Sequence, residues 1–334
     1  MTLRWGILGC ARISRRGLIP GILASQSGTL VALASRRREV AEAWAREFRI
    51  PKAVAGYEEL LSDPAIEAVY IPLPNELHAP WTRAAADAGK HVLCEKPLAL
   101  NASEARAMVT HCQSRGVLLM EAFMWRHQNR SGELKRLVNA GRIGTLKLIR
   151  CSFSFPIEPG DWRLDPARGG GALWDVGCYG LNAARFFTGL EPVAFQAVAK
   201  RSPSGVDLSL AAALRFPGGV LALFDCSFEQ PFRCTIELVG SSGVIDVPDA
   251  FLPPQAGPAS ARLRILESRS DADASSDQIE TIQCANVNQY ANMVDAFASC
   301  VASGRLNEPA EDGLAQMLAL DAIRQAAEAS TPLP

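Results

Sequence analysis

The sequence predicts an α/β protein in two parts: a doubly wound parallel sheet over residues 1–122, then an α+β domain over residues 123–334 built on a largely antiparallel open sheet. Three observations carry this reading. The first 120 or so residues alternate short apolar runs with amphipathic stretches. After about residue 123 strand patterns dominate, joined by turn signals such as Pro217-Gly218-Gly219 and Gly240-Ser-Ser-Gly243. Finally, 334 residues exceed a single typical core, at roughly 100 to 200 residues per domain.

In the first part, Leu3 to Leu8, Leu30 to Ala34, Ala68 to Leu73, His91 to Cys94 and Val117 to Glu121 read as strands separated by helices. Strict alternation requires parallel pairing through right-handed crossovers, the arrangement of a Rossmann domain. The second part opens with a helix near Ser131 to Ala140, a long strand from Thr145 to Phe155 and a loop at Gly169-Gly170-Gly171. Strands follow near Pro192 to Lys200, Leu208 to Phe216, Gly219 to Glu229, Cys234 to Val239 and Arg262 to Glu267. Asp249 to Ser260, with three prolines, and the polar Asp271 to Asp277 read as irregular loops. Two amphipathic helices, near Asn288 to Ser303 and Ala310 to Ala327, close the chain and are assigned to the second domain.

Composition excludes several function classes. A net charge of -1 with 21% charged residues gives no electrostatic basis for a nucleic-acid or anionic-membrane partner. Nine cysteines between Cys10 and Cys300 form no Cys-x-x-Cys pair and read as reduced, buried thiols. The N-terminus enters a strand pattern directly, and no run approaches the 18 or so apolar residues that span a bilayer, so a cytoplasmic enzyme is expected. His78, His91, His111 and His127 are too dispersed for a local ligand motif, and no metal is expected.

The first turn, Gly6-Ile-Leu-Gly9-Cys-Ala11-Arg12-Ile13-Ser14, lies between a strand and a helix, where a dinucleotide fingerprint belongs. Gly9 supplies the tight turn, while Ala11 and Ser14 stand at the two later glycine positions, small but not glycine. The backbone through Ala11, Arg12 and Ile13 would direct amides at a pyrophosphate. The second strand ends in Ser35-Arg36-Arg37-Arg38, with no carboxylate before Glu39. A hydroxyl and a guanidinium suit a 2'-phosphate, so NADP is favoured with NAD possible, and Arg36 is the expected phosphate ligand. Beyond the next strands lie Leu73, Asn75 and His78, then Glu95-Lys96-Pro97, all at the carboxyl ends where cofactors bind. Asn75 and His78 serve equally well as the cap and first turn of a helix.

With the Rossmann start, Asn75-x-x-His78 and Glu95-Lys96-Pro97, the chain resembles the Gfo/Idh/MocA oxidoreductase family over nearly its whole length. Glu121-Ala-Phe-Met-Trp-Arg126 and Gly169-Gly-Gly-Ala-Leu-Trp-Asp175-Val-Gly-Cys-Tyr179 look most like its subgroup of glucose-fructose oxidoreductase, NADP-dependent xylose dehydrogenase and dimeric dihydrodiol dehydrogenase. The resemblance implies hydride transfer between a carbohydrate-like carbon and nicotinamide, a C-terminal sheet used for substrate and oligomer contacts, and a homodimer or homotetramer. It also places a histidine or tyrosine at the acid/base position, here Tyr179.

The residues support that chemistry independently. Asp175, Tyr179 and Asn182 are spaced to share one face of a helix whose neighbours are mostly apolar. A phenol exchanges protons near neutrality only if its pKa of about 10 is lowered, and an ammonium such as Lys96 favours phenolate. Tyr179 is thus the expected acid/base and Lys96 its assistant, with Asp175 orienting a substrate hydroxyl or the lysine. Arg163 and Asn182 are candidate substrate contacts, or else structural partners. Trp125, Trp162 and Trp174 read as an apolar wall or as core. Two other readings stay open: reduction of a keto group on a nucleotide-linked sugar, and an NADP-binding sensor without turnover.

Overall fold

A computed structural model of the chain describes residues 2–254, 257–265, 278–307 and 311–330. It divides into two compact units, one of Met1–His127 with Val287–Met317, the other of Gln128–Asn286 with Leu318–Pro334.

The first unit is a six-stranded parallel sheet in the order β3-β2-β1-β4-β5-β6. Its strands are β1 (Leu3–Leu8), β2 (Gly28–Ser35), β3 (Lys52–Ala55), β4 (Ala68–Ile71), β5 (His91–Cys94) and β6 (Leu119–Glu121). Helices α1 (Ile19–Ala24), α2 (Arg38–Phe48), α3 (Tyr57–Leu61), α4 (His78–Asp87) and α5 (Ala102–Ser114) connect them. Burial on both faces explains the unbroken apolar runs: Trp5, Ile7, Leu8 and all of Ala68–Ile71 have no exposed surface. The strand order reverses between β1 and β4, which makes the loops after those strands the walls of a crevice.

The second unit carries α6 (Asn129–Asn139), α7 (Cys178–Thr188) and eight strands. These are β7 (Leu146–Ser154), β8 (Ala194–Arg201), β9 (Asp207–Arg215), β10 (Leu221–Ser227), β11 (Arg233–Gly240), β12 (Gly243–Val247), β13 (Ala259–Ile265) and β14 (Gln278–Cys284). They form one sheet, β14-β13-β12-β11-β7-β10-β9-β8, antiparallel except where β7 pairs with β10. Ile149, Cys151 and Phe153 on β7 and Ala222, Phe224 and Cys226 on β10 are buried, and α7 packs on these two strands. The alternate side chains, among them Arg150, Ser152, Leu223 and Asp225, lie on the opposite face and are exposed or half-buried.

The structure adds β3, β12 and β14 to the strands read from sequence and moves one helix. The expected loop from Asp271 to Asp277, and the end of the strand expected through Glu267, lie outside the described residues. Of the closing helices, α8 (Gln289–Ser303) belongs to the first unit, and α9 (Asp312–Ala329) does so through Met317. The structure thus places α8 apart from the second domain expected for it, while α9 from Leu318 onward lies in the second unit. Gly17 leaves room for the Tyr290 ring and Gly21 for the backbone at Tyr290, Phe297 packs on Trp5 at 5.5 Å, and Asp295 accepts hydrogen bonds from the Gln26 and Ser27 amides at 3.0 and 2.9 Å. An amphipathic pattern states that a helix has an apolar face, not which surface receives it.

Candidate active site

The crevice of the first unit begins at Gly9, whose φ of +119° suits a residue without a side chain. A Cβ there would also stand 2.9 Å from Leu73 Cδ2. Half-buried Ala11, exposed Arg12 and half-buried Ile13 lead into a π-helical turn, Ser14–Leu18, with Ser14 fully buried. Gly9, Ala11, Ser35, Arg36, Tyr57 and Leu73 line a cavity of about 550 Å³. Burial raises the Tyr57 pKa while the nearby Arg36 guanidinium opposes the rise, and the Tyr57 ring meets Trp81 edge-on at 4.8 Å. Ser35 Oγ accepts a hydrogen bond from the Arg37 amide at 3.2 Å. The described lining contains two guanidinium groups and two hydroxyls, those of Ser35 and Tyr57, but no carboxylate, a donor set that fits the 2'-phosphate of NADP. Tyr57 escaped the sequence reading because it follows β3, a four-residue strand; Gly56-Tyr57 was its only signal.

At the end of β5, Glu95 is buried, accepting the Tyr70 hydroxyl at 2.5 Å on one oxygen and the Lys96 amide at 3.3 Å on the other. The Lys96–Pro97 peptide is cis, and the Leu98 amide donates to Glu121 Oε1 at 2.8 Å. Two carboxylates thus hold the backbone on either side of half-buried Lys96. Asn75 is buried at the start of a 3-10 turn. His78 has no exposed surface, with Nδ1 2.8 Å from the Pro97 carbonyl oxygen and Nε2 2.8 Å from that of Leu73. Burial pushes its pKa down. Its ring ties the Leu73 loop to the Lys96–Pro97 turn, so in this structure its nitrogens serve the backbone of the crevice wall.

In the second unit, Asp175 lies in a π-helical turn, Leu173–Gly177, that continues into α7. The wider turn changes its register to Tyr179 from that of a plain α-helix. Asp175 Oδ2 accepts from Arg163 Nε at 2.9 Å, and Arg163 is held again by Asp161 Oδ1 at 3.2 Å. These carboxylates raise the Arg163 pKa against the opposing effect of burial. The structural-partner reading of Arg163 is therefore the one observed here. Tyr179 is 4% exposed, between Phe153 at 5.2 Å and Phe251 at 4.8 Å. Its depth is set by Gly177 and Gly180, where a Cβ would meet Cys226 Sγ at 2.8 Å and Phe224 Cγ at 2.7 Å. Asn182 is 0% exposed, as its structural-partner reading requires. Trp125 and Trp174 are core residues, and Trp162 is half-buried beneath the Arg163 guanidinium at 4.8 Å. Seven of the nine cysteines are buried, Cys10 and Cys284 half so. Among the described residues no cluster of three or more His, Cys, Asp or Glu could hold a metal, and no helix is long and apolar enough to cross a membrane.

Residues 3–123 match the model of an oxidoreductase family with an NAD-binding Rossmann fold, and residues 132–246 match the GFO/IDH/MocA C-terminal domain. The D-xylose 1-dehydrogenase (NADP(+)) 2 of Haloferax volcanii is 37% identical, over 98% of each chain. The trans-1,2-dihydrobenzene-1,2-diol dehydrogenase of Mus musculus is 35% identical, over 76% of this chain and 77% of its own. Among solved structures, the 3-ketoreductase KijD10 of Actinomadura kijaniata, in complex with NADP and TDP-benzene, matches with a TM-score of 0.88 and 34% identity over 98% of each chain.

Proposed function

The chain belongs to the Gfo/Idh/MocA oxidoreductase family, and from that membership we propose NADP-dependent interconversion of an alcohol and a ketone on a sugar, polyol or diol, with Tyr179 as acid/base and Lys96 as its assistant. The observation that carries the cofactor choice is the Ser35–Arg36 cleft, which offers donors and cations and no carboxylate among its described lining. NADP supplies the hydride acceptor or donor at its nicotinamide ring. In oxidation, the Tyr179 oxygen takes the hydroxyl proton as hydride leaves the same carbon; in reduction it returns that proton to the new alkoxide. The Lys96 ammonium favours the phenolate and binds the substrate oxygen. Asp175 acts through Arg163, holding the loop before α7, while Glu95 and His78 fix the Lys96 turn.

The test is a panel of free sugars, polyols and diols with NADP or NADPH, followed by nicotinamide absorbance. Turnover is expected, and Tyr179→Phe should reduce kcat by about 10²- to 10⁴-fold while leaving NADPH binding unchanged. Near-normal turnover in that variant removes Tyr179 from the role. NADPH binding with no turnover across the panel would support a sensor instead.

A second reading, reduction of a keto group on a nucleotide-linked sugar, is favoured by the flank of the glycine loop. There Arg168 stands 5.6 Å from the Trp162 ring, an aromatic surface bordered by a cation that suits a diphosphate. Inhibition of free-sugar turnover by a nucleoside diphosphate would favour this reading, and indifference to it the first.

The same membership supports a homodimer or homotetramer built on the sheet face opposite α7. Val198, Leu221, Leu223 and Ile279 are 60%, 46%, 41% and 64% exposed. Light scattering should give a multiple of the chain mass, and Leu223→Asp should shift it towards the monomer.

A further inference from the structure

The loop that leads into α7 is anchored from a distant strand. Asp207, the first residue of β9, accepts a hydrogen bond from the Leu173 amide at 2.7 Å, and the neighbouring Ala172 amide favours its charged form. No local side chain caps this helix start. Its first amides lack intrahelical partners, and a carboxylate satisfies them while meeting the positive end of the peptide dipoles. Gly171, at φ +133°, approaches so closely that a Cβ would lie 2.3 Å from Asp207 Oδ1. The Gly171 amide donates to the Arg163 carbonyl at 3.0 Å, and a Cβ on Gly170 would lie 2.3 Å from that same oxygen. The glycines thus admit two anchors, Asp207 and the Arg163 backbone. From Leu173 the helical backbone continues through Asp175 to Tyr179.

We propose that Asp207 is a positioning residue for the oxidoreductase reaction: its carboxylate fixes the start of the helix bearing Asp175 and Tyr179, and so the placement of the Tyr179 hydroxyl. The proposal rests on the reading of Tyr179 as the proton-transfer group. A neutral Ser, Thr or Asn would cap a helix without the penalty of enclosing a charge. Here burial pushes the Asp207 carboxyl up to about 6, partly offset by the Leu173 and Ala172 amides and by Arg201 of β8. Cys226 of β10 also faces it, as a buried thiol raised well above the ordinary range. Because folding raises this pKa, ionised Asp207 lowers stability at neutral pH relative to a neutral isostere, while strengthening the hydrogen bond to Leu173. Protonation below about pH 6 weakens the anchor.

The test uses Asp207→Asn, which preserves shape and one acceptor, with Asp207→Glu as the conservative comparison. For Asp207→Asn the melting temperature at neutral pH should be unchanged or higher. The kcat should fall about tenfold to a hundredfold, with KM and the NADPH Kd within about twofold, as expected for a misplaced catalytic group. The wild-type decline in kcat below about pH 6 should flatten, and Asp207→Glu should restore part of the rate. Hydrogen–deuterium exchange over residues 171–179 should be faster in Asp207→Asn, without cofactor or substrate. Wild-type kcat with unchanged exchange over 171–179 would overturn the proposal. Should Tyr179→Phe retain turnover, the reading of Tyr179 fails on its own. Asp207 is then judged by exchange alone: faster exchange sustains the anchor and unchanged exchange overturns it.

Discussion

Arg130 shows how far the surroundings of Tyr179 depend on single side chains outside the motif. It is 2% exposed and donates to five neutral oxygens: Pro248 O at 2.9 Å, Ser260 O at 2.7 Å, Asp249 O at 2.8 Å, Ala250 O at 3.2 Å and Gln128 Oε1 at 3.3 Å. The segment it gathers ends in Phe251, one of the rings against Tyr179. A lysine offers three donors at one nitrogen, so Arg130→Lys leaves buried carbonyls unsatisfied and should cost about 1–3 kcal/mol, read as a lower melting temperature. The kcat should fall as well, because Phe251 is released; a variant with a wild-type melt and rate would show that this carbonyl cluster needs no guanidinium. At the other end of the site, Arg36 lines the cleft beside Ser35. Arg36→Ala should weaken NADPH binding about tenfold, the loss of a charge-assisted hydrogen bond, with NADH binding nearly unchanged in a fluorescence titration. Equal loss for both cofactors would remove Arg36 from 2'-phosphate recognition.

At the scale of elements, the packing of α7 on β10 is the feature most exposed to test. Gly180→Ala places a methyl 2.7 Å from Phe224 Cγ, so helix or ring must shift. The expected cost is about 1–3 kcal/mol of stability with a clear loss of kcat, since Tyr179 moves with the helix. An unchanged melt and rate would show that α7 can ride outward without consequence. The strands of the first unit were legible because burial on both faces makes them continuous apolar runs, and Lys96 was legible because its whole context is one local motif. β3 was not, being four residues with an exposed Lys52. β14 was not, since Gln278–Cys284 keeps most of its residues exposed and shows no clean alternation. β12 hid behind the turn signal at Gly240–Gly243. The second half of the candidate site is built from pairings distant in sequence, Arg163 with Asp175 and Asp207 with Leu173, for which no local spacing exists. The face shared by Asp175, Tyr179 and Asn182 was inferred from α-helical periodicity, and the π-helical turn alters that register.

At the scale of the whole molecule, the two units carry titratable groups of opposite sign. In the first, His78 is enclosed with no exposed surface, and His91 accepts the Leu118 amide on Nδ1 at 3.0 Å, a bond that protonation of that nitrogen would break. Burial lowers both pKa values below the ordinary 6.5. As pH falls, the unfolded chain binds these protons before the folded one does. Their contribution to stability is therefore present above the unfolded value and is lost progressively as pH drops towards the folded one. In the second unit Asp207, raised from 3.8 to about 6, has the reverse sign: its penalty applies above the folded value and is relieved as pH falls through it. Acidification from about pH 7.5 to about pH 5.5 should therefore loosen the first unit selectively. Hydrogen–deuterium exchange, corrected for the intrinsic effect of pH, should rise over residues 3–123 more than over residues 132–246. NADPH at a hundred times its Kd should reverse the change in the first unit, since ligand at that excess stabilises the state it binds by about 2.7 kcal/mol. Equal acid sensitivity in the two units would sink the assignment to His78 and His91. Protection by NADPH confined to residues 132–246 would instead displace the cofactor from the Gly9–Arg36 cleft.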